Sequence, residues 1–458
     1  QHAIDFMCEN ARRRGLSSGP SQHIFSVRRD LMDDVAHEAL LGAARIVLHT
    51  RNGTISEQID RLERLYDTEN VAPAQTKPLV ALPARRTRQS EVSVGPETAH
   101  GPLEFWNGFG GFDPANRDYV IRLAGQSATP QPWINVISNG SFGFHVSAEG
   151  AGFTWSSNSR DYQLTPWSND PVVNRPGEAF YIHDLTTRRM FSPFAAINTD
   201  PGVQHEIRHA PGSTTFSATN NDLVVEMTQI VASADPAKLM RMRITNRGPT
   251  ARKLRVYAYV EWVLGNNRAK TASHIRNWAS GNALMATNPF SVDNPQRAAF
   301  IASSVAPSSW TAARGEFIGL VGDSLSPAAA LEGLVLSNTD ENGGDPCSAM
   351  AVDLTVEPGS TGEITFLMGD VERSELAAPL IARLIQTGFE PELAKTRADW
   401  DAFLGVLQVK TPDPAFDRMV NTWLPYQGLA CRIRARSAFY QASGAFGFRD
   451  QLQDTLAL

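Results

Sequence analysis

From Leu103 to about Asp370 the chain alternates apolar and polar residues in short runs separated by Gly- and Pro-containing turns. That period of two confines most of its length to β-structure. Leu254, Val256, Ala258, Val260 and Trp262 alternate with Arg255, Tyr257, Tyr259 and Glu261. Met240, Met242 and Ile244 alternate with Arg241, Arg243 and Thr245, and Asn246-Arg247-Gly248-Pro249 makes a turn between the two runs. Val352, Leu354 and Val356 are predicted to pair with Ile364, Phe366 and Met368 across Pro358-Gly359-Ser360-Thr361-Gly362. So many runs joined by short turns predict one large antiparallel β-sandwich.

The period changes to helical on both sides. Leu31, Val35, Ala39 and Leu40 recur at helical spacing, and Thr54-Ile55-Ser56-Glu57 reads as a capping box opening a face of Ile55, Ile59 and Leu62. A Pro-, Ala-, Thr- and Arg-rich stretch without periodicity follows to Gly101 and reads as a linker. After Asp370, Leu376, Leu380, Ile381, Leu384 and Ile385 form a stripe that stops at Gly388, and a second helix is expected from about Glu392 to Leu407. Asp413-Pro414 has the form of an N-cap with proline at the first helical position, opening a helix through Met419, Val420 and Trp423. The fold class is therefore α+β: a short helical segment and a linker (1–70, 71–102), a sandwich (103–370), a helical linker (371–410) and further helices (411–458).

The 458 residues are enough for two or three domains. A net charge of -6 leaves no basic footprint for nucleic acid. Cys8, Cys347 and Cys431 are the only cysteines, too few and too scattered for a disulfide framework or a metal site, so a reducing, cytoplasmic compartment is expected. No apolar run reaches the roughly 18 residues of a membrane span, and no signal-peptide pattern opens the chain. P-loop, dinucleotide, His-Glu-x-x-His and Gly-x-Ser-x-Gly patterns are missing. Gly108-Phe109-Gly110-Gly111 precedes a strand and reads as a tight turn.

Two segments have unusual chemistry. Phe153 to Pro171 is dense in Trp, Asn, Ser, Arg and Asp. Sugars present apolar C–H faces and hydroxyl rims, so flat aromatics beside short polar groups suit them: Trp155 and Trp167 to stack, Asn158, Arg160, Gln163, Asn169 and Asp170 to bond hydroxyls. The same composition also suits an ordered loop whose Asn and Asp residues close turns and whose tryptophans join the core. The second segment is Phe446 to Asp454, where a helix from Gln451 puts Asp450 and Asp454 one turn apart and Arg449 beside Asp450 makes a donor–acceptor clamp. An Arg–Asp surface pair with first-turn acids accounts for it equally.

These segments carry a resemblance. Asn107-Gly-Phe-Gly-Gly-Phe112, Arg117 to Ile121, Pro132 to Ile137, Phe142-Gly-Phe144, Gln163 to Pro171 and Pro176-Gly-Glu178 resemble the sandwich of glycoside hydrolase family 94. Gly447-Phe-Arg-Asp-Gln-Leu-Gln-Asp454 resembles its Gly-aromatic-Arg-Asp-x-x-Gln-Asp signature. The wording is closest to the branch of cyclic β-1,2-glucan synthases and 1,2-β-oligoglucan phosphorylases, in which such a module follows a large membrane-bound glycosyltransferase region. Residues 1–70 then read as the tail of a preceding region, and residues 411–458 as the first helices of a truncated (α/α)6 barrel.

The resemblance implies inverting phosphorolysis of β-linked glucans, above all β-1,2-glucan, with inorganic phosphate as co-substrate, α-glucose 1-phosphate as product and no cofactor or metal. The family's general acid is the Asp of a Trp-Asn-Asp motif, which is not found up to Leu458, so no catalytic residue is expected here and the chain alone is expected to be inactive. Arg449 and Asp450 are expected to hold the non-reducing glucose. Arg160, Gln163, Trp167 and Asp170 are expected to border the leaving-sugar subsite, and the resemblance leaves room for a homodimer. Ser443-Gly444-Ala445 replaces the arginine found before the signature in cellobiose-type members, against cellobiose as substrate. A non-catalytic carbohydrate-binding or chain-length-regulating module is the competing reading. Phe416, Val420, Trp423 and Leu424 are expected to await later barrel helices and to leave the isolated chain prone to association.

Overall fold

The computed structural model describes residues 103–456 except 126, 199, 201, 320, 321 and 443–446, together with a few positions between 33 and 59. The chain divides into two units, Gln1–Glu91 and Val92–Leu458. In the first, the Gln58 N–H donates to the Thr54 carbonyl at 3.1 Å, one helical turn. The remainder of the helices expected there and the linker fall outside the described residues.

The second unit is dominated by antiparallel sheet. A ten-stranded sheet runs in the order Gly110–Phe112, Tyr119–Ala124, Gln204–Ala210, Ser213–Asn220, Leu223–Val231, Ala237–Asn246, Thr361–Val371, Ala298–Ser303, Ala283–Thr287, Arg276–Ser280. Facing it is a five-stranded sheet ordered Ser309–Ala313, Pro346–Val356, Arg252–Glu261, Glu178–Asp184, Arg189–Phe191. A three-stranded sheet of Ile134–Ser138, Phe142–Ser147 and Gly152–Ser156 packs into the same core. Met240, Met242, Ile244, Ile364, Phe366 and Met368 meet Phe180, Ile182, Val256, Ala258 and Val352 between the sheets.

One predicted pairing is wrong. Pro346–Val356 and Thr361–Val371 do not form a hairpin: the first pairs with Arg252–Glu261 and the second with Ala237–Asn246. The turn at 358–362 instead carries the chain from one sheet to the other, as does the turn at 246–249 beside it. The two crossings are tied by Asn246 N–H to the Ser360 carbonyl (3.0 Å) and Gly359 N–H to the Asn246 carbonyl (2.8 Å). Alternation tells which face a side chain takes, and it does not tell which strand is the neighbour.

The outer faces are also covered. Tyr181, Tyr257 and Tyr259, on the side of the five-stranded sheet away from the core alternation, are fully buried against Phe317 of the short helix Arg314–Ile318. On the ten-stranded sheet, Leu239, Met285, Phe300 and Leu367 receive Ile381 and Leu384 of the helix Ala377–Thr387, with Phe389 and Leu393 of the helix Phe389–Leu404. Arg241 is sealed under that second helix, stacked 4.5 Å from the Phe389 ring and paired with Glu390. Gly388, at φ +84°, ends the first helix and opens the second, which starts three residues before Glu392 with Glu390 and Glu392 in its positive first turn.

Asp413 accepts from the N–H groups of Ala415 and Phe416, and Pro414 stands at the first position of a helical stretch that runs to Ala435. Pro425 supplies no N–H to the Asn421 carbonyl, which is taken by Gln408 Nε2 at 3.3 Å. Helical geometry is wide there, with Leu424 N–H bonding the Met419 carbonyl. Trp423 corrects an expectation: it is buried against Phe112, Tyr119 and Tyr426 of this same unit, and does not wait for further helices. Phe416 and Leu424 are exposed, by 51% and 46%.

Three core histidines give the sandwich a pH dependence. Burial pushes His145, His205 and His209 each down to about 4. With an unfolded value near 6.5, each takes up a proton on unfolding between those limits. Stability is thus present above pH 6.5 and is lost as pH falls towards 4, by up to about 3 kcal/mol per histidine. Urea unfolding between pH 7.5 and 4.5 should show this decline, and His209→Gln should make it shallower by about a third; a profile indifferent to pH in the wild-type chain refutes the assignment.

Candidate functional site

The aromatic-polar segment at 153–171 is fastened from below. Tyr162 donates to Asp370 Oδ1 at 3.1 Å, and Arg297 Nε reaches Asp370 Oδ2 at 2.7 Å. Burial pushes the Asp370 carboxyl above the usual carboxylate range, and Arg297 counters part of that. Further along, Thr165 Oγ1 donates to Glu178 Oε1 at 2.6 Å, while Lys238 Nζ holds Glu178 Oε2 at 2.8 Å and lies 4.0 Å from the Phe144 ring centre. Burial raises the Glu178 carboxyl, but Lys238 and the threonine hydroxyls outweigh it and hold the group below its ordinary value. Two buried ionic nodes therefore anchor a surface loop.

The sequence-derived candidates separate on this scaffold. Trp155 is 3% exposed, packed against Val136, Phe153 and Ala435, and offers no face to a sugar. Gln163 is 8% exposed; its backbone pairs with Gly265, and its Nε2 donates to the Arg160 carbonyl at 3.4 Å. Asn158 Oδ1 accepts from the N–H groups of Arg160 and Asp161, closing a turn. Asp170 does the same for Val173 and Val172, whose N–H groups hold its carboxyl below the usual range. Asn169 and Asp170 are exposed. Arg160 projects into solvent with Asp161 at 3.8 Å as its neighbour. Trp167 is half-buried, and its indole N–H donates to the Phe439 carbonyl at 3.1 Å.

That last bond has a consequence for the second candidate segment. Residues 435–442 run from the helical stretch through the small hairpin Ser437–Ala438/Gln441–Ala442, and the loop is joined to them by Trp167 and by Ser159 Oγ to the Arg436 carbonyl at 3.4 Å. The chain then continues into the helix Phe448–Thr455, which begins three residues earlier than predicted and carries Asp450 and Asp454 at i and i+4. Arg449 is exposed.

Sequence reasoning missed the joint that places these parts. Tyr426 is buried between sandwich and helices, donating to Asn135 Oδ1 (2.8 Å) or the Val136 carbonyl (2.9 Å) and accepting from Gly212 N–H at 3.2 Å. Arg434 stacks over Trp400 at 5.1 Å and donates to the Ser138 carbonyl at 3.2 Å. Arg418 reaches Glu104 at 2.9 Å and the carbonyls of Asp113 and Asn116. Partners roughly three hundred positions apart leave no local pattern to read. Among the described residues no cluster of His, Cys, Asp and Glu is arranged to hold a metal, and no helix is long and apolar enough to cross a membrane.

Family models match two stretches: the glycosyl hydrolase 94 supersandwich domain over residues 117–387, and the catalytic domain of the glycosyl hydrolase 94 superfamily over residues 399–458. Cyclic beta-(1,2)-glucan synthase NdvB of Rhizobium meliloti is 51% identical over 459 residues, covering 100% of this chain and 16% of that protein. N,N'-diacetylchitobiose phosphorylase of Vibrio proteolyticus is 24% identical over 76% of this chain and 44% of its own length. Solabiose phosphorylase of Paenibacillus borealis is 26% identical over 77% and 45%. The chain thus spans less than half the length of each of these relatives.

Proposed function

Since the chain belongs to glycoside hydrolase family 94, we propose that it forms the sandwich and the opening of the catalytic barrel in an inverting phosphorylase-type module acting on β-1,2-linked glucan. Phosphate attacks the anomeric carbon from the face opposite the leaving sugar and yields α-glucose 1-phosphate. An inverting hydrolase needs both an acid and a base to activate water. Phosphate is already an anionic nucleophile, so one acid is enough. In this reading Arg449 and Asp450 position the non-reducing glucose and transfer no proton. Arg160 and Trp167 border the leaving sugar, with Gln163 and Asp170 shaping the loop that carries them.

The observation that carries the reading is the loop's attachment to the segment leading into the Arg449–Asp450 helix, through Trp167 and Phe439. It supports one mouth built from both candidate segments. The identity to a cyclic β-(1,2)-glucan synthase supports the linkage. Action in the cytoplasm, with phosphate and a gluco-oligosaccharide as partners, completes the proposal.

The test uses the full-length protein, assayed in both directions with β-1,2-gluco-oligosaccharides. Asp450→Asn should lower kcat/KM by about 10- to 100-fold in a folded protein, the worth of a charged hydrogen bond. Arg160→Ala should raise the acceptor KM in synthesis by about tenfold and leave glucose 1-phosphate affinity and the melting temperature unchanged. Wild-type kinetics in both variants, with glucan still bound, would instead make this a binding or chain-length-regulating module.

A further inference from the structure

The surface turn that carries Arg160 runs from Ser157 to Asp161, and the residues at both of its ends are bonded to one buried ion pair. After the turn, Tyr162 donates to Asp370 Oδ1 at 3.1 Å; before it, Ser156 Oγ accepts from Arg297 Nη2 at 3.4 Å. Arg297 Nε holds Asp370 Oδ2 at 2.7 Å, and its guanidinium lies 5.6 Å from the Tyr162 ring centre. Asp370 is 0% exposed, Ser156 1% and Tyr162 3%. Burial, and the Asp370 charge after it, push the Tyr162 hydroxyl well above its ordinary range, so it keeps the proton that it donates.

A turn that only joins two segments closes with local bonds, and this one has them. Ser156 N–H meets the Tyr162 carbonyl at 3.2 Å, and Asn158 Oδ1 takes the N–H groups of Arg160 and Asp161. The turn also holds Ser157 at φ +62°, a region that non-glycine residues seldom adopt and that persists only where surrounding contacts over-determine it. Those contacts are the Ser157 N–H bond to the Ser141 carbonyl and the two-ended tie to Arg297 and Asp370. The result is a fixed backbone beneath an Arg160 side chain that is 64% exposed, with Asp161 3.8 Å away. A long side chain in water loses rotamer freedom when it binds, and a backbone already fixed adds no further ordering cost.

We propose that Tyr162, Arg297 and Asp370 are positioning residues that set acceptor recognition through Arg160, an inference that rests on the reading of Arg160 as a contact to the leaving sugar. Acting through Arg160, they contribute no more than Arg160 itself does. The test uses the full-length protein in the synthetic direction, with α-glucose 1-phosphate and a β-1,2-gluco-oligosaccharide acceptor. Tyr162→Phe keeps the ring and drops the bond to Asp370; the acceptor KM should rise about three- to tenfold, with kcat and the KM for glucose 1-phosphate unchanged. Arg297→Lys, which keeps a cation beside Asp370 and gives up the arm to Ser156, should shift the same constant in the same direction. In an Arg160→Ala background, Tyr162→Phe should raise the acceptor KM no further. A raised KM in Arg160→Ala beside an unchanged one in Tyr162→Phe and Arg297→Lys, whatever happens to the melting temperature, overturns this inference alone. Effects that multiply in the double variant overturn it too, because Tyr162 then acts independently of Arg160. An unchanged acceptor KM in Arg160→Ala removes the leaving-sugar reading and this inference together.

Discussion

Lys238→Met should lower the unfolding free energy by about 3–5 kcal/mol, because it strands a carboxylate in the core. Lys238 falls on the same face of its strand as Met240 and Met242, so the register that builds the core also buries the ammonium. Its compensation is local: Glu178 Oε2 at 2.8 Å and the Phe144 ring at 4.0 Å. Without it, Glu178 keeps the hydroxyls of Thr154 and Thr165 but no counter-charge. Combining Lys238→Met with Glu178→Gln leaves no lone charge, and the pair should cost less than the two single changes added together. Urea melts of the four proteins form the cycle. A loss below about 1 kcal/mol for Lys238→Met would show that the pair is not ionised in the folded chain.

The second large effect is expected at Tyr426. Tyr426→Ala removes an aromatic ring packed against Trp400 and Trp423 at 4.7 and 5.8 Å between centroids, a change that costs about 3–5 kcal/mol. Tyr426→Phe keeps the ring and should still cost about 1–3 kcal/mol, because the Gly212 N–H loses its acceptor in a buried setting. The ring and hydroxyl together lock the first helices of the catalytic domain to the sandwich. Limited proteolysis should therefore cut between 405 and 413 faster in the alanine variant, along with a lower melting temperature. A phenylalanine variant as stable as wild type would mean that the hydroxyl contributes nothing and packing alone holds the joint.

Much of the layout was legible in the residues. The β-rich span, the strand runs around 240–245, 254–262, 352–356 and 364–368, the helix ending at Gly388 and the cap at Asp413 all followed from periodicity and from residues with narrow backbone preferences. The resemblance to glycoside hydrolase family 94 rested on ordered motifs, and the matches at 117–387 and 399–458 agree with it. The candidate site was legible only as composition. Trp155 and Trp167 look alike in the sequence, yet the first lies in the core and the second at the surface, since the strand Gly152–Ser156 ends between them.

By itself the sequence determined which span is mainly strand, which spans flanking it are helical, and which family the chain belongs to, because each of those depends on neighbours within a few positions or on motif order. Tertiary structure alone decided that 346–356 and 361–371 lie in different sheets, that Tyr257, Tyr259 and Arg241 are covered, and that Trp423 faces the sandwich. It also decided that Trp167 reaches Phe439 and that Arg434 meets Trp400. Those outcomes are contacts between residues far apart in the chain. A period of two or 3.6 specifies a face, and the partner for that face is fixed only when sheets, helices and crossings pack together.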